Sequence, residues 1–259
     1  MNDEKLYPAH RDYVGALASG LEVIGAFDTQ HKQMTLSEVA ERTGMDRAKA
    51  RRFLLTLHSL GYIQKDGREF MLSPKVLQLG YAYTATNNHL DVVKHYLEEI
   101  TTKLGESCSL AVLNNQEIVY LVRSSAAHRL MSINLTPGTR LPAAYTSMGR
   151  ILITQLAESE QHQWIESLVL NSHTTKSIVD KSKFIEMLKE VKHQGYCIVD
   201  QELELGLRSL AVPLFNYHGK LLGAINISTN ALRVSLATLV DDYLIELQKA
   251  TKKIIEHTR

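Results

Sequence analysis

Four cations crowd into six residues at Arg47, Lys49, Arg51 and Arg52, opposed locally only by Asp46. Residues 46–61 therefore carry a charge of +3, although the whole chain, with 29 basic and 28 acidic residues, is nearly neutral. Charge concentrated on one short stretch attracts phosphate, and Arg can also read guanine edges. The near-neutral total does not suit a DNA-compacting coat protein. Catalytic chemistry is harder to find. The eleven histidines form no HExxH pair, and Cys108 and Cys197 stand apart with no CxxC. Gly-rich phosphate loops and GxSxG are absent. Ser147 could be set on paper beside a distant His and Asp, but any chain of this length permits that. The expectation is no catalytic residue, no cofactor and no metal site.

The elements that must present the cations come next. Leu17, Leu21, Ile24 and Phe27 recur at helical spacing. Thr35-Leu36-Ser37-Glu38 reads as a capping box opening a second helix, with Gly44 as its stop. Asp46 caps a third, whose Ala50, Phe53, Leu54, Leu57 and Leu60 share one face. Lys49, Arg52, Thr56 and Ser59 lie opposite, and Arg47 and Arg51 flank the helix start. Two short helices around a Gly turn are a helix-turn-helix pattern. Asp66-Gly67, between the runs 62–65 and 68–72, predicts a hairpin with Lys65 and Arg68 at its tip. A solvated helix face could carry the same charges. Their place on the second helix of a helix-turn-helix with a wing favours double-stranded DNA.

Ser73-Pro74 reads as the start of a connecting helix, and the pattern resets near Thr86-Asn87-Asn88. The expected division is 1–73 for a winged helix-turn-helix, 74–87 for a linker helix and 88–259 for a second domain. Val76, Leu77, Leu79, Tyr81 and Tyr83 spread over more than one face of the linker, more than a solvated helix needs, which points to a homodimer formed partly there. Beyond residue 88, helices are expected at about 90–104, 146–156, 160–168, 181–193 and 236–257. Strands are expected at 107–113, 118–124, 130–135, 196–200, 209–216 and 221–228. The class is α+β, with an antiparallel sheet carrying helices on one face.

Strand alternation suggests a pocket. Ser209, Ala211, Ala224, Asn226 and Ser228 fall in one set, with Ser107, Ser109 and Ala111 of an earlier strand. Leu210, Val212, Leu214, Ile225 and Ile227 fall in the other. The apolar set should pack on helices; the small, polar set leaves room and hydrogen bonds for a ligand, or faces water. Arg123 alternates with Val119 and Leu121; buried, it would need an anion, and it equally suits an exposed edge strand.

Composition sets the frame. The 259 residues suffice for two domains, and 44% apolar with 22% charged residues is a globular balance. No apolar run approaches the ~18 residues that span a bilayer, and Met1-Asn2-Asp3-Glu4-Lys5 opens no signal peptide. A cytoplasmic protein with no membrane contact is expected.

Ordered stretches of the chain resemble the IclR family of bacterial transcription regulators. They are 17–24, 34–44, 51–57 with Leu60-Gly61-Tyr62, 137–142 with 146–150, and 200–206 with Ala211-Val212-Pro213. Within the family the chain is most similar to the branch of PcaU, PcaR and PobR, which controls hydroxybenzoate and protocatechuate catabolism. Residues 11–17, Val122-Arg123-Ser124 and Leu210-Ala211-Val212-Pro213 carry that likeness. The resemblance implies a winged-helix domain, a linker helix that pairs subunits and a GAF-like effector domain. It implies a dimer or pair of dimers on operator DNA, within reach of RNA polymerase. It also implies control by a small organic acid, whose carboxylate would meet the amides of Ser147 and Met148 at a helix start. Ser209, Asn226 and Ser228 match polar pocket positions, and Leu130, Ile133, Leu141 and Leu207 apolar walls. Members that bind very small keto acids carry an acidic residue, a cysteine and a serine where Val199, Ser209 and Asn226 stand. These departures point to a larger, flatter effector such as protocatechuate or para-hydroxybenzoate, with Val199 as a further wall. Arg140, Asp200, Glu202 and Gly206 belong to general family turns. The alternatives are an IclR-type regulator of another organic acid and a GAF-like enzyme.

Overall fold

In the computed structural model, residues 8, 10–126 and 135–258 are described. The chain forms two compact units, residues 1–87 and 88–259. The first opens with α1 (Gly15–Gly25), β1 (Gln33–Thr35), α2 (Leu36–Thr43) and α3 (Arg47–Ser59). The capping box forms as read: the Thr35 amide donates to Glu38 Oε2 at 2.7 Å, and the Glu38 amide to Thr35 Oγ1 at 3.4 Å. Asp46 Oδ1 accepts from the Lys49 amide at 2.8 Å, starting α3. Val23, Val39, Ala50, Leu54 and Ile63 build a small core. Of the α1 apolar series only Ile24 and Phe27 pack on it; Leu17 and Leu21 are more than half exposed, because Ser19 and Val23 take the buried face.

The wing is β2 (Ile63–Asp66) and β3 (Glu69–Leu72), with β1 as a third strand in the order β1-β3-β2. Asp66 pairs with Glu69, so the hairpin loop is Gly67-Arg68, one residue later than the sequence suggested. Gly67 takes φ +54° at the first loop position, where a side chain would be strained. A 3₁₀ turn, Pro74–Val76, leads into α4 (Leu77–Ala85), of which no residue is buried.

The second unit contains α5 (His89–Leu104), β4 (Ser107–Asn114), β5 (Glu117–Ser124), β6 (Arg140–Pro142), α6 (Ser147–Thr154), α7 (Glu158–Ser167) and α8 (Lys181–Gln194). It continues with β7 (Cys197–Asp200), β8 (Leu207–Phe215), β9 (Leu221–Asn230) and α9 (Leu236–Thr238). A π-helical turn, Leu239–Tyr243, joins α9 to α10 (Leu244–His257). The six strands form one antiparallel sheet in the order β6-β5-β4-β9-β8-β7. β6 was not expected, and the strand read over 130–135 lies outside the described residues apart from Leu135.

Helices cover both faces of this sheet, not one. Leu110, Leu210, Leu214, Ile225 and Ile227 pack on α5 and α10. The opposite face carries Ala111, Ala211 and Ala224, whose small side chains let α6 lie close, with α8 behind it. Gly149 lets α6 pack closely on the turn that precedes it. A Cβ there would stand 2.1 Å from the carbonyl oxygen of Ala143. The small-residue face is thus partly core and partly pocket, because only its Ser and Asn positions fall beyond the helix contact.

Candidate nucleic-acid interface and ligand pocket

On α3 the polar positions divide between two grooves. Arg47 and Arg51, one turn apart, line the first with Lys65, Gly67 and Arg68 of the wing and Thr35-Leu36-Ser37 at the start of α2. Lys49, Arg52 and Thr56 line the second with Gly15 and Ala16 of α1. Arg47, Lys49, Arg51, Arg52, Thr56, Lys65 and Arg68 are all exposed. Among the described residues, none of these six cations joins an ion pair. Thr56 turns its hydroxyl back to the Arg52 carbonyl at 2.8 Å, which leaves its methyl outward. A convex helix with unpaired guanidinium groups on two sides, next to a hairpin tip that carries Lys65 and Arg68, can enter a major groove and grip backbone on either side.

The second unit holds a cleft between β7, β8, β9 and the start of α6. Ser209, Asn226 and Ser228 form its polar floor, and Leu141, Val199 and Leu207 are walls, as the sequence suggested. Ser147 also lines it. Thr146 caps α6 by accepting from the Gly149 amide at 3.1 Å; the amides of Ser147 and Met148 stand in the first turn, which has no intrahelical carbonyls to offer them. Met148, expected beside Ser147 at the cleft, does not line it; its side chain is fully buried in the core. Leu130 and Ile133 lie outside the described residues.

Three residues that line the cleft carry a polar side-chain atom buried without a hydrogen-bond partner among the described residues: Tyr145 Oη and, on two smaller side chains, Ser147 Oγ and Asn226 Oδ1. Asn226 spends its amide nitrogen on Ser228 Oγ at 3.0 Å. Ser147 and Asn226 are almost fully buried, and an unmet buried polar atom costs about 1–3 kcal/mol. Such atoms around one cavity mark a place built to meet a polar guest. The free cavity is about 20 Å³, room for one water.

Arg123 does not line the cleft. It is half-buried, donates to Ser109 Oγ at 3.2 Å, and burial lowers its pKa. The expected alternation with Val119 and Leu121 fails, because the register shifts between Leu110 and Ala111. Leu121 becomes the extra residue of a bulge, and Tyr120 and Arg123, three apart, reach the same face as Ser109 and Asn226. Sequence reasoning therefore missed Tyr120 as a lining residue. It also missed Tyr145, Thr146 and Leu203. Thr146 could have been found as an N-cap three residues before Gly149; the others had no local signal.

The largest omission is an ion pair. Arg150, 1% exposed, meets Glu202 through Nη1–Oε1 at 2.6 Å and Nη2–Oε2 at 2.7 Å. Its Nε donates to the Ala144 carbonyl at 2.8 Å. Asp200, Glu202 and Gly206, read as a generic turn, thus include a buried partner of α6.

Comparison with known proteins agrees with this architecture. The family signature described as "Bacterial transcriptional regulator IclR C-terminal" matches residues 81–256, and the IclR helix-turn-helix domain matches 16–67. The chain belongs to the IclR family of bacterial transcriptional regulators. It is a regulator and not an enzyme, as this family's members are. Among IclR relatives, it is 38% identical over 243 residues to the Pca regulon regulatory protein of Pseudomonas putida, covering 94% of this chain and 84% of the relative. It is similar to a solved structure from Rhodococcus sp. RHA1, with a TM-score of 0.80 and 40% identity over 95% of this chain and 98% of that one. It is also similar to the PobR inducer binding domain from Acinetobacter, a double mutant in complex with 3-hydroxybenzoic acid. That match has a TM-score of 0.59 and 30% identity, over 64% of this chain and 97% of that one. No helix among the described residues is long and apolar enough to cross a membrane. No group of three His, Cys, Asp or Glu among them could hold a metal.

Proposed function

We propose that this IclR-family chain regulates genes of aromatic acid catabolism, with a hydroxylated aromatic carboxylate such as protocatechuate or para-hydroxybenzoate as effector. The unpartnered Ser147 Oγ and Asn226 Oδ1, across one cleft from Leu141, Val199, Leu203 and Leu207, carry this reading. A flat apolar ring with a polar group at each end suits that arrangement. The carboxylate meets the amides of Ser147 and Met148, where a helix start favours negative charge. The ring hydroxyls meet Asn226, Ser209 or Ser228. Arg123, which lies outside the cleft lining and donates to Ser109 Oγ, is left out of this anchor set. A ring does not fit a 20 Å³ cavity, so the leucine walls move apart on entry while the polar ends stay. The likeness to the Pca regulon regulatory protein of Pseudomonas putida and to the PobR inducer binding domain in complex with 3-hydroxybenzoic acid supports the effector class.

Operator DNA is gripped by Arg47, Lys49, Arg51, Arg52 and Thr56 of α3 and by Lys65 and Arg68 of the wing. The active species is a homodimer, or a pair of dimers, formed partly through 74–87. Leu77 and Tyr81 of α4 are 74% and 73% exposed, and Leu17 and Leu21 of α1 add apolar surface that a lone subunit leaves in water. RNA polymerase contact is the downstream step of such a regulator, which works in the cytoplasm. The test is calorimetry with protocatechuate, para-hydroxybenzoate, benzoate and pyruvate. Selective binding of a hydroxylated ring supports the reading; best binding by pyruvate, or by no aromatic acid, refutes it.

A further inference from the structure

The Arg150–Glu202 bridge connects the segments that bound the cleft. Arg150 stands one turn into α6, whose start supplies Thr146 and Ser147, and its Nε fixes the Ala144 carbonyl next to Tyr145. Glu202 stands next to Leu203 in the stretch that leads to Leu207, the facing wall. Its Oε2 also accepts from the Ile178 amide at 3.0 Å. Ser177 Oγ donates to the Glu202 carbonyl at 2.7 Å, and Thr174 Oγ1 to the Gln201 carbonyl at 2.7 Å. The guanidinium lies 5.7 Å over the Phe184 ring. The three Arg150 bonds are buried and those from Thr174, Ser177 and Ile178 partly so, and none is needed to close a helix or the sheet.

A buried bidentate pair is weak evidence for stability, since a well-packed apolar pair often does as well. What the fork supplies is direction: two parallel bonds fix angle and distance between the groups they join. We propose that Arg150 and Glu202 are positioning residues of the effector site, holding the amide end of α6 in register with the 201–207 wall. This rests on the reading of the cleft as an effector site. Neither side chain touches the effector; each acts through the wall it anchors. A ligand that needs the aligned arrangement binds more weakly in proportion to the fraction of molecules that keep it.

The test uses the full chain carrying Glu202→Gln, which keeps the size and an acceptor for the Ile178 amide but loses the charge-assisted fork. Hydrogen exchange of the unliganded protein should quicken together at 144–148 and 201–207, with protection over α5 and α10 kept. If one molecule in ten keeps the alignment, the apparent Kd for the acid that wild type binds rises about tenfold. Unchanged exchange, exchange lost evenly over 88–259, or altered exchange with an unchanged Kd would each overturn the proposal. Should Glu202→Gln fail to fold, the paired change Arg150→Met with Glu202→Leu refills the volume without the fork and should show the same local exchange and weaker binding. Should wild type bind none of the four acids, the effector reading fails, and the exchange pattern alone still decides whether the bridge aligns the two walls.

Discussion

Helix α3 holds its basic side chains in water, unpaired and on two sides, whereas the cleft of the second unit buries its polar lining to within a few per cent. The two regions pay different physical penalties. An exposed cation keeps its hydration until phosphate replaces it, so the interface tolerates flexible side chains and few internal contacts. A buried hydroxyl or amide must be met by protein or by ligand, so the cleft needs a rigid surround such as the Arg150–Glu202 fork. The DNA-facing residues should therefore act singly and with strong salt dependence. Those of the cleft should act through a packed network.

Four outcomes would break or sharpen this contrast. The largest effect is expected from Arg150→Ala, which strands Glu202 as a buried charge. Denaturant unfolding should show a loss of about 3–5 kcal/mol in the 88–259 unit, with the smaller unit unaffected; a loss under 1 kcal/mol would show that the bridge is not desolvated as the structure has it. Next, Arg52→Ala should cost operator binding about 1–3 kcal/mol at fixed salt and leave effector affinity alone. Asn226→Leu should do the reverse, lowering effector affinity by about 1–3 kcal/mol without changing operator binding of the unliganded form. Gel-shift titration and calorimetry on both variants make that crossed comparison, and equal effects in both assays would dissolve it. Smaller again, Lys65→Ala and Arg68→Ala should each reduce the slope of log affinity against log salt by about 1. An unchanged slope would take the wing off the backbone. Least of all, Cys108 and Cys197 should not react with a thiol reagent at pH 8 until the protein unfolds. Burial pushes both thiols up to about 12, so at pH 8 almost none of either is in the nucleophilic thiolate form.

Legibility followed the same divide. The exposed basic face of α3 and its cap could be read residue by residue, because an exposed helix repeats with a fixed angle and its caps lie within three residues of what they cap. Even the wing was displaced by only one position, at Gly67. In the cleft, Ser209, Asn226 and Ser228 were legible from simple alternation on regular strands. Tyr120 was not, since one extra residue at Leu121 reverses the alternation and nothing local announces the bulge. Leu203 and Tyr145 come from connections whose path depends on what they pack against.

Sequence alone determined the elements whose causes are local: the capping box at Thr35, the N-cap at Asp46, the basic face of α3 and the two-sided strands β8 and β9. It also determined the family, through stretches spread over both units. Tertiary structure decided the remainder. It sent Arg150 inward to Glu202, 52 residues away. It covered both sheet faces with helices and buried Ser147 Oγ and Asn226 Oδ1 without partners on residues that line one cavity. The physical reason is that burial and pairing of a polar group are properties of everything that surrounds it, and those neighbours come from segments far apart in the chain.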